Sequence, residues 1–486
     1  MSPKGRPEGE ARLMKRVCTF AALALAGCMV GPDYHRPDVA LPQQFPEGNA
    51  VDTQPEAAVP ATWWMLYGDP VLNDLVDAAL AHNADIAVAV ARIEQAQAVL
   101  RQANAGIIPG LDLSANGGRQ AFSNSVPTPR VVTGMGFTLS TNYEIDFWGR
   151  IRRTIESAQA SLLSSRYAHD VTELSLSATT AETYFTLRAL DALIAVTRDS
   201  LQSFDASVNL TRRRAEGGVA SDLDVRQAEN QRQVARVQLA ELIRQRAIAL
   251  HQLQVLTARL DLDLAPGDVR SLPVPALPPA GVPSALLGRR PDVRQAEAAL
   301  AAQNARIGVA RAAMFPTISL TGDYGNQSTA LTTLLSSPGR VWSIGLALAF
   351  PLFDAGRREA VTEQEEARTR EAIAAYQSTV QSAFRDVQDA LTNIRQNRDA
   401  EEDVRLRVES ADAALRLAQR RYESGYSAFL EVLVAQRTLY DAQTGAVQNR
   451  QALMLATVDL MKALGGGWQP PEAPSPAAAG TAPRAL

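Results

Sequence analysis

The residues that could do chemistry in this chain fall into three groups, and none of them builds a catalytic site. The first is Leu25-Ala26-Gly27-Cys28, which closes the apolar run Val17–Ala26 behind the positive pair Lys15 and Arg16. A short apolar run of this kind, ending in small residues, reads as a secretory signal that is too short to span a bilayer. The same ending matches the bacterial lipobox, whose cysteine is acylated and becomes the first mature residue. Cys28 is therefore the expected lipidation site, residues 1–27 the signal, and Met14 a candidate start. Cys18 leaves with the signal, so the mature chain carries no free thiol or disulfide, as suits an exported protein that needs no oxidative staple. The second group is the carboxylate pair Glu144 and Asp146, which share one face of an alternating segment. The third is the four histidines, His35, His82, His169 and His251, which are scattered along the chain. Neither His-Glu-x-x-His nor Gly-x-Ser-x-Gly occurs, and Gly134-Met135-Gly136 is too short for a dinucleotide loop. His169 and His251 read as ordinary surface or seam residues, the eight methionines are dispersed, and no metal or cofactor is expected beyond the lipid on Cys28. The formal charge of −4 offers no basic footprint for nucleic acid. The chemistry on offer is lipid attachment and a wet acidic surface, not catalysis.

The segment that positions the two carboxylates is MGFTLSTNYEIDF (Met135–Phe147). Met135, Phe137, Leu139, Tyr143, Ile145 and Phe147 lie on one face, and Ser140, Asn142, Glu144 and Asp146 on the other. Strict alternation over this length predicts a strand with one apolar face. In VWSIGLALAFPLF (Val341–Phe353) the pattern returns, with Trp342, Ile344, Leu346, Leu348, Phe350 and Leu352 on one side.

The return is part of a duplication with a constant offset of 207 residues. Asp85-Ile86 aligns with Asp292-Val293, Ile108-Pro109 with Phe315-Pro316, and Gly149-Arg150 with Gly356-Arg357. RRAEGGVASDLDV (Arg213–Val225) aligns with RRYESGYSAFLEV (Arg420–Val432). The expected organisation is a first repeat over 28–264, a proline-rich linker over 265–283, a second repeat over 284–468, and a disordered tail over 469–486. Each repeat reads as a helix (Val71–Ala105 in the first), a short strand (Leu111–Ala115, then Thr317–Tyr324), a polar loop, a longer strand and a very long helix. The loops are Ala121–Arg130 and Gln327–Arg340. Arg150–Glu216 and Arg357–Ser424 contain neither glycine nor proline, and at about 1.5 Å per residue such helices run to roughly 100 Å. Val404, Val408, Ala411, Leu415, Ala418 and Tyr422 step by four and three, a coiled-coil seam that Thr197, Leu201, Phe204 and Val208 match in the first repeat. Gly217-Gly218 and Ser424-Gly425 then end the long helices, and return helices start near Asp222 and Phe429.

The strands decide the setting. Segments of about 11–13 residues are long for a globular sheet and right for a tilted membrane crossing. The apolar face, carried by Phe137, Leu139, Tyr143, Ile344, Leu346, Leu348 and Phe350, would meet lipid, and Glu144 and Asp146 would face a water-filled lumen. Four strands leave open edges, which hydrocarbon does not tolerate. About eight strands make a barrel filled by its own side chains. Three chains give twelve strands and a pore, so a homotrimer is expected.

At this point the chain resembles the TolC-like outer-membrane channels, in their NodT-type efflux lipoprotein branch. The residues that carry the likeness are Cys28 with GPDYHRP (Gly31–Pro37), Trp63-Trp64, YGDPVLNDLVDAAL (Tyr67–Leu80), FWGRIRR (Phe147–Arg153), GVASDLDVRQAE (Gly218–Glu229), LLGRRPDV (Leu286–Val293), FPLFDAGRR (Phe350–Arg358) and ALGGGW (Ala463–Trp468). The resemblance covers essentially the whole mature chain. It implies a mainly α fold with a β-barrel portion, four transmembrane strands per chain forming a 12-stranded trimeric barrel, and a coiled-coil tunnel through the periplasm. It also implies docking with a periplasmic adaptor and an inner-membrane transporter of the RND class, with cargo such as drugs. Carried over onto this sequence, the tunnel tip and adaptor contacts fall at Gly218, Ser221, Arg421, Gly425 and Gln436, with Leu430 as a hydrophobic constriction and Tyr422 as a polar latch. Many relatives carry an acidic residue directly before the Ala-Gln pair, where this chain has Val434. An acidic gate then comes from Asp222, Asp224 or Glu431, or is absent, these acids being equally accounted for as first-turn residues favoured by the helix dipole. The functional expectation is a passive outer-membrane conduit of a tripartite efflux pump. The outer channel of an ABC-type protein secretion system and a periplasmic helical adaptor or scaffold lipoprotein are the alternatives.

Overall fold

A computed structural model of the protein describes residues 29–42, 45, 59–121, 131–278 and 285–469. Cys28 and the signal, residues 122–130 of the first polar loop, residues 279–284 at the end of the linker and the tail from Pro470 lie outside them. The chain forms two compact units. The first gathers the residues up to Asp38 with Ile93–Ser165 and Ala296–Tyr376, and the second gathers Val39–Arg92, Arg166–Gln295 and the residues from Gln377 onward. Each unit draws on both sequence repeats, because the long helices contribute to both.

Seven helices of more than one turn and four strands occur among the described residues: α1 (Pro70–His82), α2 (Ala84–Ala105), β1 (Asp112–Ala121), β2 (Val131–Ile145), α3 (Arg150–Glu216), α4 (Asp222–Leu256), α5 (Pro291–Ala312), β3 (Thr317–Ser328), β4 (Arg340–Ala349), α6 (Arg357–Glu423) and α7 (Phe429–Ala463). The long helices α3 and α6 are each 67 residues, and the return helices α4 and α7 each 35. No described helix is long and apolar enough to cross a membrane.

Three expectations need correction. The helix read over Val71–Ala105 is two helices, because the Asn83 side-chain oxygen Oδ1 accepts from Asp85 N at 2.7 Å and starts α2 afresh. That bond offers the backbone an alternative to continuing the first helix. Phe350 lies one residue beyond β4, where Pro351 ends the ladder. Asp146 lies one residue beyond β2, and its carboxylate is taken up by the start of α3, as described below.

In the first unit the strands form one antiparallel sheet in the order β1-β2-β3-β4, with β1 and β4 at its edges. The second unit has its core where Trp63, Tyr67, Leu72 and Leu75 pack against Tyr184, Phe185, Leu187, Leu253, Met454 and Met461. Its two buried tyrosine hydroxyls are answered: Tyr67 Oη and Thr457 Oγ1 lie 2.7 Å apart, and the Tyr184 hydroxyl donates to the Asp69 carboxylate, which also accepts from Val71 N at 2.9 Å. Burial pushes both tyrosine pKa values well above the ordinary phenol range.

Candidate functional site

The register of the sheet sorts its side chains into two unlike faces. Leu113 pairs with Leu139, Leu139 with Tyr324 and Tyr324 with Trp342, giving one apolar row across all four strands. Tyr143, Leu320 and Leu346 form the next, and Ile145, Ile318 and Leu348 another. Odd and even positions of a strand lie on opposite faces, so the neighbouring rows belong to the other side. Those rows are Asp112, Ser140, Asp323 and Ser343, then Asn142, Thr321 and Gly345, then Glu144, Ser319 and Ala347. Ser343 donates to Asp323 at 2.8 Å, so the polar face carries its own cross-strand bonds. The apolar face is bare: Trp342, Ile344, Leu346 and Leu348 are each about 70% exposed. A contiguous apolar face of this kind on a sheet with two open edges marks contact with lipid or with further copies.

At the foot of β2 the two lumen candidates part company. Glu144 stays in the strand on the polar face, but its carboxylate is held in a two-pronged contact by Arg150 at 2.8 and 2.6 Å. Asp146 accepts from the backbone N–H groups of Ile151 and Arg152, each at 2.9 Å, and from Arg152 Nε at 3.2 Å. It satisfies donors that the first turn of α3 leaves open, so it is a helix-start residue and not a lumen carboxylate. Beside it, Val30 N donates to Trp148 O at 3.1 Å, and Trp148 stacks on Phe315 with ring centroids 4.5 Å apart. The residues that follow Cys28 are thus tied to the end of β2. Arg153, with its side chain 2% exposed, fixes them by donating to Asp33 at 2.8 Å.

The second candidate region is the pair of helix-hairpin ends in the second unit. Gly218 and Gly425 hold φ of +73° and +79°, and Val219 N and Tyr426 N close the turns onto Arg214 O and Arg421 O at 2.9 and 2.8 Å. A Cβ at either glycine would meet no neighbouring atom, so glycine is required for the left-handed backbone and not for space. Ser221 caps α4, accepting from Asp224 N at 3.3 Å while Asp224 Oδ2 accepts from Ser221 N at 3.4 Å. This reciprocal box engages Asp224 locally. In the second hairpin Tyr422 packs edge-on against Phe429, centroids 5.5 Å apart, within a cluster of Val208, Ala228, Leu415, Ala418, Val432 and Ala435. Arg214 lies over the Tyr422 ring at 4.6 Å and donates to the carbonyls of Tyr422 and Glu423 at 3.2 and 3.3 Å. The Tyr422 hydroxyl is buried without a hydrogen-bond partner, and burial raises its pKa, with Arg214 opposing. Arg421 reaches Glu431 at 3.4 Å on the surface, and Leu430 and Val434 are exposed. Gln436 is buried and donates to Ser203 Oγ and Ser207 Oγ, each at 2.9 Å, tying α7 to α3.

The structure therefore brings Tyr422, Gly425, Arg421 and Glu431 together in one hairpin and Gly218, Ser221, Asp222 and Asp224 in the other. It adds three residues: Arg214, Phe429 and Leu223, the last 64% exposed as the counterpart of Leu430. The 207-residue offset carries the signal for two of them, since Arg214 maps onto Arg421 and Leu223 onto Leu430.

The chain is similar to known proteins over most of its length. The family model described as outer membrane efflux protein matches twice, over residues 75–259 and 282–466. The chain is 35% identical to the probable efflux pump outer membrane protein TtgC of Pseudomonas putida, over 92% of this chain and 94% of that one. It is 34% identical to the outer membrane protein OprJ of Pseudomonas aeruginosa, with 92% and 94% covered. Among solved structures it is similar to the Campylobacter jejuni CmeC outer membrane channel, with a TM-score of 0.84 at 26% identity, covering 91% of this chain and 96% of that one.

Proposed function

The chain belongs to the outer membrane efflux protein family, and from that premise we propose a homotrimer in which three four-stranded sheets close one 12-stranded barrel. The family is one of TolC-like outer-membrane channels with a periplasmic helical tunnel, serving as passive conduits of efflux pumps. One observation carries the trimer: the sheet has two unpaired edges and a bare apolar face. Each unpaired N–H or C=O group in hydrocarbon costs several kcal/mol, and joining β1 of one copy to β4 of the next removes both edges. The apolar rows then face lipid and the rows of Asp112, Asp323 and Glu144 face water.

In this reading Cys28 carries acyl chains into the periplasmic leaflet. The hairpin ends around Gly218 and Gly425 receive a periplasmic adaptor, and the adaptor joins the channel to an inner-membrane transporter of the RND class. Tyr422 and Leu430 narrow the passage. Relatives named for toluene and for antibiotics support a small, largely apolar cargo. No step in this function breaks or forms a bond in the cargo, so the protein acts without a catalytic residue.

Native mass measurement of the detergent-extracted mature particle tests the assembly. Three chains, each beginning at Cys28 and carrying acyl mass, are expected, and a monomer would overturn the reading. Export of a toluene-like solvent by cells carrying Gly425→Trp, with particle abundance unchanged, tests the tip. Export equal to the unmodified protein would remove Gly425 from the passage.

A further inference from the structure

On α3, within the second unit, His169, Asp170 and Glu173 bring one ring nitrogen and two carboxylate oxygens within 4.8 Å of one another. His169 Nδ1 lies 3.5 Å from Asp170 Oδ1 and 3.8 Å from Glu173 Oε2. Four ligands at about 2.1 Å around a tetrahedral metal stand about 3.4 Å apart, so both separations need only small side-chain shifts. His169 and Glu173 project from successive turns of one helix face.

Two further observations bear on this cluster. Several partly buried carboxylates elsewhere in the chain are paired with arginine: Glu144 with Arg150, Asp191 with Arg246, Asp386 with Arg290 and Glu366 with Arg311. Asp170 and Glu173 have no arginine or lysine within ion-pair distance among the described residues, and His169 is their sole partner of that kind. Moreover, the other oxygen of Asp170 is already oriented from a distant segment, because Trp468 Nε1 donates to Oδ2 at 2.9 Å. That indole is delivered by Gly465, Gly466 and Gly467, all at positive φ. A Cβ on them would strike Arg289 O at 2.2 Å, Leu174 Cδ1 at 2.3 Å and the Pro60 carbonyl carbon at 2.4 Å. Metal-binding side chains are commonly held by such a neutral donor on the atom that does not face the metal.

We propose that His169 Nδ1, Asp170 Oδ1 and Glu173 Oε2 bind a divalent transition-metal ion of the zinc class, leaving a fourth position for water. The ion supplies the two carboxylates with the positive charge that arginine supplies to Glu144, Asp191, Asp386 and Glu366. Because Asp170 is also bonded to Trp468, the bound ion stiffens the docking of the Gly-Gly-Gly-Trp segment onto α3. The inference stands apart from the channel reading, as it needs neither the barrel nor cargo.

The test uses full-length mature protein without a histidine tag, extracted in detergent and stripped with a chelator. Zinc titration is expected to show one ion per chain and a rise in thermal midpoint. Cobalt is expected to give the visible absorption of a four-coordinate N/O site. His169→Gln and Glu173→Gln should each weaken zinc binding by about tenfold or more. Glu402→Gln, which removes an exposed acid paired with Arg405, should leave binding unchanged. No zinc retained at about 100 µM free metal, or retention that His169→Gln does not alter, would overturn the site.

Discussion

The two hairpin ends descend from one repeated sequence, 207 residues apart, yet they are held by different forces. The first is closed by its own hydrogen bonds: Ser221 and Asp224 form a reciprocal cap, and no aromatic residue takes part. The second has Ala428 where the first has Ser221, and its helix begins with no side-chain cap. It carries Tyr422 and Phe429 where the first has Ala215 and Asp222, and it is closed by their packing and by Arg214 reaching across from the first hairpin. One end is thus self-sufficient, and the other depends on tertiary contacts with its twin. The expectation that follows is that the turn containing Tyr422 loosens before the turn containing Gly218, and the variants below test it.

The largest break in this comparison comes from Phe429→Ala. Phe429 is 1% exposed, and emptying such a site costs about 3–5 kcal/mol. Hydrogen exchange of the Ser424–Val432 backbone should accelerate strongly, while the Gly217–Val225 backbone keeps its protection. Equal acceleration of both turns would show that the hairpins open as one. Next comes Arg214→Ala, which removes a cation over the Tyr422 ring and two bonds to carbonyls, together worth about 2 kcal/mol. The expected result is a leakier channel, read as a longer-lived open level in planar bilayers, with particle abundance unchanged. Arg421→Ala, the same change in the repeat twin, should leave the open level alone in high salt, where its exposed pair with Glu431 is screened.

Much of this was legible in the amino-acid pattern. Period two over Met135–Ile145 and Val341–Ala349 is a direct consequence of strand geometry, and the uninterrupted helices follow from the absence of glycine and proline. The seam Ala411, Leu415, Ala418 and Tyr422 is buried in the structure, as knobs in holes require. What stayed hidden depends on side chains reaching outside their own element. Asp146 continues the alternation perfectly, but its carboxylate finds the open N–H groups of α3, a competition that periodicity does not register. Asn83 looks like any polar helix residue until its amide oxygen accepts from Asp85 N. Arg290, within LGRRPDV, is buried and donates to Ala463 O at 3.2 Å and to Asp386 at 3.2 Å, partners that lie far along the chain. The closing ALGGGW likewise has meaning only when its three positive-φ glycines seat Trp468 on Asp170.

The smaller changes sharpen the comparison by exchanging the two closures. Ser221→Ala removes the cap of the first hairpin, at a cost of about 1 kcal/mol. Ala428→Ser offers the second hairpin the cap it lacks, for a gain of up to about 1 kcal/mol. Ser221→Ala should speed exchange of the Val219–Asp224 amides alone, and Ala428→Ser should slow exchange at Phe429–Glu431 and shorten channel openings. If Ala428→Ser tightened the hairpin without affecting openings, the second hairpin would not be the moving part. The smallest effect belongs to Arg421 and Glu431, whose side chains are each at least half exposed. Solvent and salt screen such a pair to less than about 1 kcal/mol, so Glu431→Gln should alter openings only at low ionic strength and be silent in high salt. An effect that persisted in high salt would mean that Glu431 meets a partner charge in the assembled channel that the single chain does not supply.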